Sequence, residues 1–228
     1  MMKANVESPA AAVAGSDHWR YWMALYRRDV RAAEAIVEDW LAREPPQRVY
    51  LRLLEPALSL SGTLFARGRI GFRDEHFVTY HTLRFLRRVR RAFVVPRPTG
   101  PLALATGVWQ ESHLIGLRMV CDFLQHDNWR IDWFPSNDRA TVRDLTRRRR
   151  PAAVLLSVGL DRGVEPARRL VGELRQRAGY DGLIVVGGAA VNRDPEALLK
   201  TIGADLTATN GLELVRRLRA RTRGVVEE

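Results

Sequence analysis

The chain has 228 residues, enough for one large domain or two small ones, and its 46% hydrophobic content is sufficient for buried cores. Its formal net charge is +11, and nearly all of the positive charge is arginine, since lysine occurs only at Lys3 and Lys200. No run approaches the ~20 apolar residues of a membrane-spanning helix. The single cysteine, Cys121, excludes an intramolecular disulfide and is expected to be a small core residue. Residues 1–16 lack the regions of a signal peptide, so we expect a cytoplasmic protein.

The N-terminal part of the chain has the spacing of amphipathic helices. Residues 1–15 are alanine-rich and weakly patterned, so we expect them to be disordered. From there the sequence predicts a helical bundle over residues 16–95. Its helices are predicted over residues 19–41, 48–66 and 73–93. In the second of them, four residues are predicted to share one apolar side: Leu51, Leu54, Leu58 and Phe65.

After a short proline- and glycine-rich linker, the pattern changes to short strands that alternate with helices. This alternation predicts a flavodoxin-like or Rossmann-like α/β domain over residues 96–228, with a doubly wound, parallel, five-stranded sheet. The strands are predicted near residues 102–107, 129–134, 152–158, 182–187 and 205–209. The helices are predicted near residues 113–126, 138–149, 164–178, 195–201 and 211–222.

The loop after the first predicted strand carries the most informative motif, Glu111-Ser112-His113-Leu114-Ile115-Gly116. An imidazole can coordinate a metal. A carboxylate two residues earlier can accept the hydrogen bond of the other ring nitrogen, which fixes the tautomer and raises the basicity of the ligand. The glycine lets a bulky ligand approach the backbone. A cobalt corrinoid needs all three of these groups.

Two further elements follow later predicted strands. Ser157-Val158-Gly159 ends the third strand, and Gly187-Gly188 ends the fourth. The three elements therefore lie at the carboxyl ends of strands, the edge at which open α/β sheets bind ligands.

This combination resembles the cobalamin-binding domain of methionine synthase, base-off mutases, corrinoid methyl carriers and light-sensing regulators. The family pattern is Asp-x-His-x-x-Gly, then Ser-x-Leu or a variant, then Gly-Gly. Here Glu111 replaces the aspartate, and Gly159 stands where an apolar residue is more usual. The resemblance covers residues 98–222 and implies that His113 is the lower axial ligand of cobalt. It also implies that the nucleotide tail hydrogen-bonds Ser157 and runs against Gly188.

A second motif lies in the bundle, where nine residues separate Phe65 from Glu75-His76. The motif resembles the Trp-x9-Glu-His signature of the bundle that caps cobalamin in CarH-type light sensors. This resemblance implies that Phe65, Glu75 and His76 cover the upper face of the corrin. Ala66 replaces the histidine that can bind cobalt after photolysis in those sensors, which leaves His76 and His81 as candidate upper-face groups. The alternative is that Phe65 is a core residue and that Glu75-His76 only begins a helix.

Three functions are compatible with these motifs: a light-responsive transcriptional regulator, a corrinoid methyl carrier of a methyltransferase system, and a small subunit of a radical mutase. The mutase hypothesis needs a partner barrel and leaves the bundle motif unexplained. A carrier shares the two-domain layout. The bundle motif and the excess of arginine favour the regulator, with hydroxo-, aquo- or adenosyl-cobalamin as cofactor and no enzymatic activity of its own.

A regulator without a helix-turn-helix must act through a partner. The layout resembles the AerR/PpaA-type antirepressors of photosynthetic purple bacteria, and this resemblance implies a transcriptional repressor of photosynthesis genes as the partner. The arginine runs at residues 87–91 and 147–150 each fit a solvated helix face. Their total excess also favours non-specific contact with DNA phosphates.

Overall fold

The computed structural model describes residues 15–93, 97–108, 111, 113–135 and 138–223. The chain divides into two compact units, with the boundary between positions 94 and 95. The disorder expected for residues 1–15 falls, apart from Gly15, outside the described residues, and so does the predicted site residue Ser112.

The N-terminal unit is helical. Its helices are α1 (Asp17–Tyr26), α2 (Val30–Arg43), α3 (Pro46–Val49), α4 (Glu55–Ala66) and α5 (Phe72–Arg91). A π-helical turn, Tyr50–Leu54, joins α3 to α4. The core of this unit is rich in aromatic and aliphatic side chains, among them Tyr21, Trp22, Tyr50, Leu53 and Leu86. Within this core the Tyr21 hydroxyl lies 2.9 Å from the Thr82 hydroxyl.

The single helix predicted over residues 19–41 is wrong, because α1 and α2 are separate helices. Arg28 adopts a left-handed conformation with φ of 67°. The Asp29 side chain then caps α2 by accepting a hydrogen bond from the Ala32 N–H at 2.9 Å. Both helices bury apolar residues in the same core, so the spacing of apolar residues passes over the short turn without a visible break.

The apolar side predicted for the second helix is also partly wrong. Leu54 is buried, whereas Leu51 and Leu58 are half-buried and Phe65 is 44% exposed. The core instead covers the face that lies one residue before the predicted one, since the buried residues repeat at spacings of three and four at Tyr50, Leu53, Ala57, Ser61 and Leu64. The face that α4 buries consists of Ala57, Ser61 and Leu64.

The C-terminal unit is an α/β fold, as predicted. Its strands are β1 (Leu102–Gly107), β2 (Arg130–Trp133), β3 (Ala153–Ser157), β4 (Leu183–Gly187) and β5 (Leu206–Thr207). Its helices are α6 (Ile115–His126), α7 (Arg139–Arg149), α8 (Val164–Gln176), α9 (Pro195–Ile202) and α10 (Gly211–Arg223). All strand pairs are parallel, and the strand order is β2-β1-β3-β4-β5.

Helices cover both faces of this sheet. The helices α6 and α10 pack on one face through Leu117, Leu124 and Leu214, and Cys121 is buried there as predicted. The helices α7, α8 and α9 pack on the other face. In the strand order, β2 lies on one side of β1, and β3, β4 and β5 follow on the other side. The topological switch point is therefore at the carboxyl ends of β1 and β3.

Candidate functional site

The three predicted site elements begin at the same level of the sheet. The strand register aligns Gly107, Ser157 and Gly187 across β1, β3 and β4. Beyond the strands, the Val108 N–H donates to the Ser157 carbonyl at 3.3 Å, and the Val158 N–H donates to the Gly187 carbonyl at 2.8 Å. The loops that carry these elements therefore start side by side, next to the switch point where open α/β sheets bind ligands.

Glu111 joins two of these loops through its carboxylate. Its side chain is only 3% exposed, whereas that of His113 is 60% exposed. Oε1 of Glu111 accepts from the His113 N–H at 2.6 Å and lies 2.7 Å from Nδ1 of the His113 ring. Oε2 accepts from the Gly159 N–H. The carboxylate thus holds the imidazole of the β1 loop and the backbone of the β3 loop together.

The electrostatics of this cluster favour an ionised carboxylate. Burial raises the pKa of Glu111, but the hydrogen bonds from the His113 ring, the His113 N–H and the Gly159 N–H outweigh it and lower this pKa to about 2. A carboxylate beside Nδ1 favours the tautomer that carries its proton on Nδ1. Nε2 of the neutral ring then has the lone pair with which imidazoles coordinate metals.

Ser157 contacts the histidine loop directly. Its side chain is buried at the end of β3, and its hydroxyl donates to the His113 carbonyl at 3.1 Å. This is a second connection between the β1 and β3 loops. The predicted hydrogen bond from Ser157 to a nucleotide tail stays a prediction.

The two glycines of the Gly-Gly element have different surroundings. Gly188 has φ of +114°, and a Cβ atom there would lie 2.5 Å from the Val158 carbonyl oxygen. The backbone of the β3 loop therefore requires glycine at position 188, whether or not a ligand is bound. A Cβ at Gly187 or Gly116 would meet no protein atom within 4 Å, so these two glycines face open space.

Other motif residues support the loops. Leu114 packs on the core beneath α6, and Val158 is fully buried. Ile115 begins α6. Sequence reasoning missed Gly107, where a Cβ would lie 2.9 Å from the Leu114 side chain and 3.2 Å from Glu111 Cβ. A glycine at the end of a strand was the available signal for this close approach.

In the helical unit, the candidate residues lie near the turn that joins α4 to α5. Phe65 is exposed, so the interpretation of Phe65 as a core residue is wrong. Oε2 of Glu75 lies 2.9 Å from Nδ1 of His76, and its Oε1 accepts from the Thr79 hydroxyl at 2.7 Å. His81 is buried, with its ring centroid 4.3 Å from that of Phe77. His76 is therefore the more accessible of the two candidate histidines.

Two exposed aromatic residues of α5 escaped the sequence analysis. Phe72 is 62% exposed and Tyr80 is 60% exposed. Together with His76 they follow the i, i+4, i+8 spacing of one helix face. The rings of Phe72 and His76 are in contact, with their centroids 3.8 Å apart and their planes tilted by 31°. Their spacing was visible in the sequence, but their exposure depended on which face of α5 the core covers.

The donor set at the sheet edge fits a cobalamin. Cobalamin brings most of the ligands of its cobalt itself, so the protein would need to add a single donor, and the imidazole of His113 would supply it. His113 is exposed and is oriented by a buried carboxylate, as second-shell groups orient metal-binding histidines. Gly116 and Gly187 leave space beside it for a bulky group.

Comparisons with known proteins agree with this chemistry. A family model described as "B12 binding domain" matches residues 102–216, and a second model of the same description matches residues 20–88. No curated protein sequence matches the chain. In the part of the chain that the structure describes, no helix has the length and apolar character needed to span a membrane.

Solved structures that share the fold include the following three. The monomethylamine corrinoid protein of Methanosarcina barkeri is 18% identical, with a TM-score of 0.75 over 87% of this chain and 94% of that protein. A cobalamin-binding protein of Desulfitobacterium hafniense DCB-2 is 18% identical, with a TM-score of 0.50 over 88% of this chain and 96% of that protein. A chain of the methanol:cobalamin methyltransferase complex MtaBC of Methanosarcina barkeri is 14% identical, with a TM-score of 0.50 over 98% of this chain and 87% of that chain. The match of residues 102–216 spans half of the 228 residues, so the chain belongs to the B12 binding domain family, and cobalamin is its cofactor.

Proposed function

We propose that this chain is a corrinoid methyl carrier that holds cobalamin through His113 and presents it to a methyltransferase partner. The observation that carries the proposal is the pair of Glu111 and His113 at the switch point, with Oε1 of the carboxylate 2.7 Å from Nδ1 of the ring. Cobalamin, when bound, supplies a cobalt centre that accepts a methyl group from one substrate and gives it up to another. The residues of this chain bind and orient that cofactor.

Each site residue then has a defined part. His113 ligates cobalt through Nε2, and Glu111 holds the proton of Nδ1 in a hydrogen bond. An ionised Glu111 raises the basicity of the imidazole and makes Nε2 a stronger electron-pair donor. A buried carboxylate thus strengthens the bond that His113 would make to cobalt. Gly116 and Gly187 leave room for the corrin edge and the nucleotide tail. Ser157 lies beneath the histidine loop, close to the expected path of the tail.

The layout of the whole chain supports the carrier more than the other hypotheses. Both units match B12 binding domain models, at residues 20–88 and 102–216. The Methanosarcina barkeri monomethylamine corrinoid protein aligns over 87% of this chain, so the likeness includes residues of both units. We accordingly propose a methyltransferase as the protein partner, and we place this activity in the cytoplasm.

A methyl-transfer assay tests the carrier function. The protein is loaded with methylcobalamin and incubated with a thiol or a folate acceptor, together with a methyltransferase that uses methylcobalamin as the methyl donor for that acceptor. We expect methylated acceptor to form with the wild-type protein and much less with the His113→Ala variant. Equal yields from the wild type, the variant and cobalamin alone would contradict the carrier function.

A second candidate is a light-responsive antirepressor that acts on a transcriptional repressor. The observation that favours it is the exposure of Phe65 and of His76, two of the positions that resemble the corrin-capping residues of CarH-type sensors. The basic surface would hold such a regulator near DNA phosphates. In this case illumination of adenosylcobalamin-loaded protein changes its visible spectrum and its effect on a repressor–DNA complex. Identical behaviour of apo, hydroxocobalamin and adenosylcobalamin protein would remove the regulator.

A further inference from the structure

We infer that Glu111 and Gly159 form a matched pair that positions the ring of His113 before cobalamin binds. Gly159 acts through Glu111 and is therefore a positioning residue. The inference rests on the proposed role of His113 as the cobalt ligand, and it adds a residue of the β3 loop to the machinery that sets this ligand.

The close approach of Glu111 to the β3 loop requires glycine at position 159. A Cβ atom there would lie 2.9 Å from Oε2 and 3.1 Å from Oε1 of Glu111, and 2.9 Å from the Cβ of His113. Real Cβ atoms essentially never make contacts below 3.0 Å, so the carboxylate and the histidine loop would both have to move. Unlike Gly188, Gly159 has no positive φ, so alanine fits its backbone conformation. The cost of a side chain there comes from these contacts alone.

The length of the acidic side chain explains why this space is needed. Glutamate is one methylene longer than aspartate, and its extra reach brings Oε2 to the Gly159 N–H while Oε1 holds His113. The two departures of this chain from the family pattern, glutamate at 111 and glycine at 159, thus meet at one point in the structure. An aspartate at 111 would not need the space, and a side chain at 159 would not permit the glutamate.

The pair has a consequence for the free protein. The imidazole is fixed by Glu111, Glu111 is fixed by the β3 backbone, and the His113 carbonyl is fixed by the Ser157 hydroxyl. A ligand group that is already oriented loses less conformational freedom when it binds, which increases affinity without any new contact to the ligand. The pair therefore presets the lower ligand of the cofactor.

A double-mutant cycle tests the pair. The four proteins are wild type, Gly159→Ala, Glu111→Asp and the double variant. Hydroxocobalamin affinity is measured by visible titration. Histidine ligation is measured on protein with nitrogen-15 in its histidines, by the doublet splitting in the EPR spectrum of bound cob(II)alamin, because the nucleotide base of cobalamin also gives a nitrogen-14 triplet. We expect each single variant to bind about 10–100-fold more weakly, as for changes to groups that orient a metal ligand. The double variant should lose much less than the product of the two effects, because the shorter carboxylate withdraws from the added methyl group and the histidine loop moves with it.

The outcomes are distinguishable. A double variant whose loss equals the product of the single losses would overturn the pair. If Gly159→Ala does not fold, recovery of folding on adding Glu111→Asp is the expected result, and failure to recover contradicts it. Gly172→Ala in α8, where a Cβ meets no atom within 4 Å, is the matched control and should bind like wild type. His113→Ala tests the ligand and the pair separately. An unchanged spectrum in that variant overturns the proposed ligand itself. Loss of the nitrogen-15 histidine splitting in that variant, together with a multiplicative cycle, overturns the pair alone.

Discussion

The carboxyl edge of the α/β unit and the turn between α4 and α5 of the helical unit are built in different ways. At the sheet edge the site residues position one another, since the Glu111 carboxylate accepts hydrogen bonds from the backbone N–H groups of both His113 and Gly159. Near the helical turn, Phe65 and His76 are exposed, and the contacts shown for Glu75 are with its own helix. The geometry of the sheet-edge site is therefore set by contacts within the chain. The contacts shown for the helical turn do not fix the exposed side chains of Phe65 and His76 in the same way.

The largest expected effect separates the two regions. His113→Ala should weaken cobalamin binding by more than about 100-fold, because it removes the ligand itself and not a group that orients it. The matched change in the helical unit, His76→Ala, should leave the lower-ligand spectrum unchanged. Visible titration of both variants with hydroxocobalamin measures this difference. Equal losses in the two variants would contradict the assignment of the lower ligand to the sheet edge.

Within the sheet edge, substitutions at the two glycines of the Gly-Gly element should have different effects. Gly188→Ala should destabilise the free protein by about 1–3 kcal/mol, because φ of +114° and the Val158 carbonyl both oppose a side chain. Gly187→Ala should leave the free energy of unfolding nearly unchanged, since its Cβ would meet no atom within 4 Å. Gly187→Leu should weaken cobalamin binding while the free protein stays folded. Urea unfolding of the free proteins and cobalamin titration measure these effects, and equal destabilisation at the two positions would contradict the division of roles.

A smaller effect is expected in the helical unit. If Phe65 covers the corrin, Phe65→Ala should weaken adenosylcobalamin binding by roughly 2–12-fold, which corresponds to the 0.5–1.5 kcal/mol of an aromatic contact. Its unfolding free energy should change by no more than about 0.5 kcal/mol, because the side chain is exposed in the free chain. Leu212→Ala, at a similarly exposed residue of α10, is the control. Unchanged binding by the Phe65 variant would remove Phe65 from the cofactor surface.

The smallest effect is a pH dependence of the helical unit. Burial, followed by the charges of Arg84 and Arg28, lowers the pKa of His81 below 6.5. The unfolded chain therefore takes up a proton at this residue as pH falls below 6.5, while the folded chain still resists it. Stability should fall from pH 7.5 to pH 5.5, and His81→Phe should flatten this slope. Urea midpoints followed by circular dichroism measure it, and an equal slope in the variant would contradict the assignment.

The α/β sheet and its site elements were predictable from the sequence for a physical reason. Strands alternate with helices in a clear pattern, and the site residues lie at strand ends or just beyond them: Glu111, His113, Ser157, Gly187 and Gly188. Parallel strands bring such residues to one edge without further information. The resemblance to the cobalamin-binding pattern then indicated that these residues bind a cobalt corrinoid.

Other features depended on contacts that a linear pattern does not contain. The turn at Arg28 leaves the apolar spacing almost intact, so the sequence gives no sign of it. In α4 the core covers the face of Leu64, one residue from the predicted face of Phe65. The contact between Glu111 and Gly159 joins residues from different loops. The steric reason for Gly188 lies in the neighbouring β3 loop. Each of these features follows only from the folded chain.

The most direct test of the central claim is the EPR spectrum of bound cob(II)alamin with nitrogen-15 placed in one partner at a time. An axial nitrogen-14 splits each cobalt line into a triplet, and an axial nitrogen-15 splits it into a doublet. If His113 is the lower ligand, labelling the histidines of the protein converts triplets to doublets, and labelling the nucleotide base of the cobalamin leaves the triplets unchanged. Splitting that follows the label in the base and ignores the label in the protein would contradict the account.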